Sequence, residues 1–283
     1  MLKTRIITAL VILPIVLLAL FMFPRWGWAC FALIIMAAAA WEWRRLCKLS
    51  PAAAMAYYLA LAACGCVLLA AHFLPAARQL ASLPLWVFLA ALIFWVLSVP
   101  LWLLQTWRSP YGALDALAGG LVIVPTFAAL LFLRDLSPWL LLSIAVIVWV
   151  ADIAAYFAGK AFGRHKLAPA ISPGKTVEGV IGGLAGVGVY FLLWRWLVET
   201  WLPNEPWVRA LQAQGLVLLV FFLLLGGISV IGDLFESWMK RGAGVKDSSN
   251  LLPGHGGILD RIDALTSTLP LAALYIILVM QRV

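Results

Sequence analysis

The chain is short of charge, cysteine and histidine, and each shortage removes a class of protein. Only 11% of its 283 residues are charged, about half the share usual in a soluble protein, while 65% are apolar. Mean hydropathy is +1.05. So little charge excludes a soluble enzyme. It excludes a disordered chain as well, because disorder needs low hydrophobicity and high net charge. The four cysteines, Cys30, Cys47, Cys64 and Cys66, stand in apolar or juxtamembrane stretches. Cys64-Gly65-Cys66 lacks the two-residue gap and the partner pair of a zinc site, so all four read as small packing residues. Internal repeats and inverted hydropathy symmetry, common in transporters, are also missing.

What the chain has in quantity is long apolar runs. Windows long enough to span a bilayer, about 17–25 residues each, lie near 5–23, 26–43, 55–71, 84–104, 112–133, 138–158, 178–201, 213–236 and 262–281. The first follows Lys3 and Arg5 as a signal peptide would, yet no small-x-small cleavage site comes after it, so it reads as a retained helix. The expected fold is therefore all-α: a polytopic integral membrane protein with about nine transmembrane helices. It forms a single transmembrane domain over 1–283, with 1–137 an apolar helical scaffold and 138–283 the half that carries motifs.

Lysine and arginine orient those helices. Fourteen of the 20 fall on the N-terminal side: Lys3, Arg5, Arg44, Arg45, Lys48, Arg108, Lys160, Arg164, Lys166, Lys175, Lys240, Arg241, Lys246 and Arg261. Five fall opposite, namely Arg25, Arg78, Arg134, Arg209 and Arg282, and Arg195 lies inside the seventh window. The bias puts the N-terminus inside and the C-terminus outside, in a cell's inner (cytoplasmic) membrane. Positive loops that orient helices and meet anionic headgroups also account for the net charge of +8, so no nucleic-acid partner is expected.

The acids are concentrated where lipid should exclude them. Seven of the 12, Asp152, Glu178, Asp233, Glu236, Asp247, Asp260 and Asp263, lie on the inner side of the last four helices. An acid in or beside an apolar helix is costly and points to function. Asp152, Tyr156, Gly159 and Gly163 share one helical face, and Ser229, Asp233, Glu236 and Lys240 share another. Asp152 needs a partner, either a loop lysine or a ligand. Asp233 falls near the level of the inner lipid phosphates, where a carboxylate is tolerated if a divalent cation bridges it to phosphate.

Between these two helices Gly174-Lys175-Thr176 suggests a P-loop, but Pro169 stands where that motif needs its first glycine, and no strand is expected before it. Two readings remain open: an anion seat made by Lys175, Thr176 and backbone N–H groups at a helix start, or a basic loop with Thr176 as N-cap. The densest polar segment runs from Ser237 to Asp263, where Lys240, Arg241, Lys246 and Arg261 share a glycine-rich stretch with Asp247, Asp260 and Asp263. Such a mixture suits a polyphosphate held by metal on one side and by Lys/Arg on the other.

These residues fall into a recognisable pattern. Ser237-x-x-Lys240-Arg241, then Lys246-Asp247, then Gly254-His255-Gly256-Gly257-x-x-Asp260-Arg261-x-Asp263 resembles the signature of the phosphatidate cytidylyltransferases, also called CDP-diglyceride synthetases. Upstream, Asp152-x-x-x-Tyr156, Ser172-Pro173-Gly174-Lys175-Thr176-x-Glu178-Gly179 and Gly232-Asp233-x-x-Glu236-Ser237 resemble that family too. The resemblance covers roughly residues 149–263; the first half of the chain is similar only as an apolar helical region.

The resemblance implies transfer of CMP from CTP to phosphatidate, giving CDP-diacylglycerol and pyrophosphate in phospholipid biosynthesis. Mg2+ is implied as cofactor, with Mn2+ able to substitute, and the charge count puts the motif loops, and so the active site, on the cytoplasmic side. Membrane lipids and a homodimer partner are expected with it. Asp233 and Asp260 are the first candidates for metal ligands, with Asp247 and Asp263 second. Lys175, Lys240, Arg241, Lys246 and Arg261 would neutralise phosphates. Ser172, Thr176 and the Gly254–Gly257 backbone would donate to phosphate, Glu178 and Ser237 would line the substrate site, and Asp152 with Tyr156 would orient a basic partner or contact the nucleotide. His255 is left as a phosphate donor or a spacer. A CTP-dependent lipid kinase is the main rival. A secondary transporter would spread polar groups through several midplane helices, and a CDP-alcohol phosphotransferase would need a run of spaced aspartates that is not seen.

Overall fold

A computed structural model describes residues 2–74, 82–105 and 112–281, with side chains from Ile7 onward. Arg78, Arg108, Arg282 and the side chains of Lys3 and Arg5 therefore lie outside the described residues. Each of the nine apolar windows falls on a helix or helix pair: α1 (Leu2–Met22), α2 (Arg25–Leu46), α3 (Pro51–Phe73), α4 (Leu83–Ile93) continuing into α5 (Val99–Leu104), α6 (Gly112–Leu136), α7 (Pro138–Phe162), α8 (Val177–Trp201), α10 (Leu216–Ala243) and α11 (Leu259–Met280). A short α9 (Pro206–Gln212) joins α8 to α10. Among the described residues eight spans are long and apolar enough to cross a bilayer, and the apolar part of α1, Ile7–Met22, is shorter. The protein is an all-α polytopic membrane protein.

Local chemistry explains the irregularities. Phe94–Ser98 widens to a π turn between α4 and α5, and the Val99 N–H reaches the Phe94 carbonyl. Pro100 follows at once; it has no N–H to give and its ring crowds the preceding turn, which the wider turn relieves. The segment between α7 and α8, expected to be a loop, is a two-stranded antiparallel hairpin. Here β1 (Lys166–Ala168) pairs with β2 (Ser172–Thr176), with Lys166 opposite Thr176 and Ala168 opposite Ser172. Pro169 and Ala170 sit at its tip, and the Lys166 Nζ donates to the Pro173 carbonyl at 2.8 Å.

Small residues bring the site-bearing helices together. A Cβ at Gly182 would strike that of Ala158, and one at Gly183 would come within 2.9 Å of the Ala151 carbonyl, so α7 and α8 touch along their backbones. At Gly232 an added Cβ would lie 2.5 Å from the Ser267 Oγ, which donates to the Ile228 carbonyl at 3.0 Å and locks α10 to α11. The core continues into the first half of the chain through Phe235 on α10, whose ring meets those of Trp43, Phe94, Trp95 and Trp102 at centroid distances of 6.2, 5.6, 5.7 and 5.4 Å. Cys47 alone among the four cysteines is buried, and burial pushes its thiol up to about 12, which suits an inert packing group. Cys30, Cys64 and Cys66 are exposed, so the packing role expected of them does not hold.

At the end of the bundle away from the motifs, Arg25 at the start of α2 pairs with Asp135 at 2.6 Å, and His72 from α3 lies 3.2 Å from the same oxygen. That end is tied by structural contacts. The charged motifs lie at the other.

Candidate functional site

Helices α7, α8 and α10 and strand β2 enclose a cleft of about 450 Å3. Asp152 and Tyr156 enter from α7, Ser172 and Lys175 from β2, and Asp233 from α10. The spacing of Asp152 and Tyr156 places both at this cleft, and the close α7–α8 approach sets β2 across its mouth. Lys175 Nζ lies 2.5 Å from Asp233 Oδ2, both side chains about a quarter exposed. The Ser237 hydroxyl, one turn further along α10, donates to Asp233 Oδ1 at 3.3 Å. Sequence motifs that are far apart in the chain thus meet in one cleft.

A second ion-pair cluster lies on the same face of α10. Lys240 is buried, with its Nζ 2.8 Å from Glu236 Oε2 and 2.5 Å from Asp260 Oδ1. Asp260 Oδ2 accepts from the Ser248 N–H at 2.8 Å and the Gly257 N–H at 2.7 Å, and the Ser248 hydroxyl, 2.8 Å from it and 3.1 Å from Glu42 Oε2 of α2, shares its one proton between the two carboxylates. Asp263 follows Asp260 by three residues on α11, its backbone carbonyl packed against Gly232 of α10. Burying so many carboxylates is tolerable only with compensating donors or cations. Lys240 compensates Glu236 and Asp260, while Glu236 Oε1 is buried with no hydrogen-bond partner.

This excess of buried carboxylate over ammonium fits a cation. Among the described residues no three His, Cys, Asp or Glu side chains are placed to grip a metal unaided.

Several of the expected site residues make structural contacts. Thr176 is the N-cap of α8, its Oγ1 accepting from the Gly179 N–H at 3.1 Å, and it also lines the cleft beside Lys175, so capping and an anion seat are compatible here. Glu178 does not line the cleft; it clamps the hairpin by accepting from the Arg164 and His165 N–H groups at 3.1 and 3.2 Å and meeting His165 Nδ1 at 2.6 Å. Arg241 turns back to the Val245 carbonyl at 3.0 Å, closing the end of α10. The Gly257 N–H, expected to meet phosphate, is spent on Asp260. His255 sits in a tight turn closed by Leu252 and Gly256, with φ of +75° at Gly254 and +81° at Gly256, conformations that call for glycine. Its N–H donates to the Leu252 carbonyl at 2.9 Å, and its Nδ1 is buried without a partner. Lys246, Asp247 and Arg261 are exposed beside this turn.

One participant was not anticipated. Glu42 on α2, in the half expected to be apolar scaffold, has no exposed surface and accepts hydrogen bonds from Ser248, Ser249, Ile258 and Leu259. Its only sequence signal is an acid within an apolar helix, muted by the adjacent Arg44 and Arg45.

The chain is similar to known proteins over nearly its whole length. The model of the cytidylyltransferase family matches residues 3–279. A phosphatidate cytidylyltransferase of Pseudomonas aeruginosa is 42% identical over 280 residues, covering 96% of both chains. One of Haemophilus influenzae is 34% identical over 285 residues, covering 95% of this chain and 96% of its own. A third, of Thermotoga maritima, is 41% identical over 154 residues, covering 53% of this chain and 55% of its own. With a match running almost from end to end, and with the charged motifs gathered at one end of the bundle, the chain belongs to the cytidylyltransferase family.

Proposed function

We propose that this chain transfers CMP from CTP to phosphatidate at the Asp152–Lys175–Asp233 cleft and the adjoining Lys240–Asp260 cluster, releasing pyrophosphate and leaving CDP-diacylglycerol in the membrane. The observation that carries the reading is the repeated lysine–carboxylate pair: Lys175 with Asp233 and Lys240 with Asp260, both at 2.5 Å and both on one face of α10. Each pair holds one group that binds phosphate and one that binds a divalent cation. With polyphosphate and a divalent cation bound, Lys175 and Lys240 would face phosphate while Asp233 and Asp260 would face the cation, with no net gain of buried charge.

The phosphate monoester of phosphatidate is largely dianionic near neutral pH, so it attacks the α-phosphorus without a strong general base. One P–O bond forms there as the bond to the β-phosphate oxygen breaks and pyrophosphate departs. Catalysis then consists of holding two anions in line and stabilising charge on the leaving group. Lys175 and Lys240 supply fixed positive charge, and Ser237 aligns Asp233. Asp233, the more accessible carboxylate, and Asp260, once Lys240 turns to phosphate, would hold Mg2+, which would supply charge neutralisation at the reacting phosphates. The exposed Lys246 and Arg261 would draw the nucleotide toward the mouth.

The basic bias of this end supports a site on the cytoplasmic side of an inner membrane, where CTP is available. A lipid kinase would use the same inventory on the γ-phosphorus. Incubating the purified protein with CTP, phosphatidate and Mg2+ and weighing the lipid product separates the two. A gain of one CMP is expected; a gain of one phosphoryl group would overturn the reading.

A further inference from the structure

Glu42 is a fully buried carboxylate that the chemistry above does not use. Its two oxygens collect four donors from a single segment of the chain. Oε1 accepts from the Ser249 hydroxyl at 2.6 Å and the Ile258 N–H at 2.9 Å, and Oε2 from the Leu259 N–H at 2.7 Å and the Ser248 hydroxyl at 3.1 Å. Helix α11 begins without a cap of its own, because Ile258 at the N-cap place has no side-chain acceptor. Glu42 supplies the missing acceptor from α2 and sets negative charge against the positive end of the α11 dipole.

Those bonds lead directly to the proposed site. The Ser248 hydroxyl that meets Glu42 also lies 2.8 Å from Asp260 Oδ2, the other oxygen of the carboxylate that holds Lys240. How tightly the three groups are drawn together shows at Gly257, where a methyl group would strike both the Ser248 hydroxyl and the Glu42 carboxylate.

We propose that Glu42 is a positioning residue for the transfer reaction. By fastening Ser248 and Ser249 to the first turn of α11, it sets the place of Asp260 and, through it, of Lys240. The inference rests on the reaction proposed above. Errors of about 1 Å in such a constellation cost on the order of a hundredfold in rate, so a carboxylate that touches no substrate can still govern turnover.

Glu42→Gln tests this, since it keeps the shape but replaces one acceptor oxygen by a nitrogen that cannot accept. Turnover is measured per folded molecule, with folding judged by elution profile and thermal midpoint, beside the wild-type protein. We expect kcat to fall about ten- to a hundredfold while the apparent KM for CTP and phosphatidate stays within about threefold, because the Lys175–Asp233 cleft is untouched. Combined with Ser248→Ala, the loss should be no greater than that of the worse single variant, as for groups acting in one chain. A kcat per folded molecule within about twofold of wild type, or a defect confined to KM, overturns the proposal. Should Glu42→Gln fail to fold, Ser248→Ala alone decides by the same criteria. A wild-type protein that forms no CDP-diacylglycerol would instead overturn the reaction assignment.

Discussion

Lys175 Nζ and Asp233 Oδ2 stand 2.5 Å apart across the cleft, joining the hairpin that follows α7 to the middle of α10. Each is the other's counter-ion, so removal of either leaves a charge facing the cleft. Lys175→Ala should lower kcat/KM about ten- to a hundredfold, the loss of a charge-assisted contact of roughly 1.5–3 kcal/mol. Lys166 is unsuitable as a control because its ammonium braces the same hairpin. Arg164→Ala removes a loop charge without touching that brace and serves instead; equal effects at Arg164 and Lys175 would refute a phosphate role for Lys175.

Asp233→Asn removes a hard anionic ligand while keeping the acceptor for Ser237, so turnover should drop by orders of magnitude while the thermal midpoint is preserved. Asp260→Asn should cost both turnover and stability, because its oxygens also hold Lys240, Ser248 and Gly257. Activity and melting temperature measured together across a Mg2+ titration separate the two. Near-normal turnover in Asp233→Asn would remove it as a ligand.

Much of this was legible in the sequence for a simple reason. In a chain with so little charge, Lys175, Asp233, Lys240 and Asp260 stand out because lipid makes them costly, and the apolar windows between them reveal the helices. Which lysine meets which aspartate was not legible, because the pairing depends on how α7, α8 and α10 pack through their glycines. The hairpin was hidden by its shortness and by Pro169, Pro173 and Gly174, which read as loop. Glu42 was hidden because an acid beside two arginines at a helix end resembles a solvated charge, and its four donors lie in a segment more than 200 residues away.

Thr176→Ala should cost about 1 kcal/mol of stability through loss of the α8 N-cap, read as a lower thermal midpoint. Glu178→Ala should leave α8 formed but free the hairpin from its anchor at Arg164 and His165, so KM should rise more than the midpoint falls. An unchanged KM would show that the hairpin holds its place without Glu178.

The charge bias makes a topological prediction. Asn250 is exposed in the loop before α11, and Asn250→Cys should react with an impermeant thiol reagent only from the cytoplasmic side. A reporter fused after Val283 should lie outside the cytoplasm. Cytoplasmic signals at both positions would mean that the number of crossings between them is even.

The central claim is that this cleft transfers a cytidylyl group, and CTP labelled differently at its α- and γ-phosphorus tests it most directly. With phosphatidate and Mg2+, the α-label should enter the lipid and the γ-label should leave as pyrophosphate in equal amounts. Both should depend on Mg2+ or Mn2+ and collapse together in Asp233→Asn. Transfer of the γ-label to lipid with release of CDP, or equal label transfer by wild type and Asp233→Asn, would contradict the account.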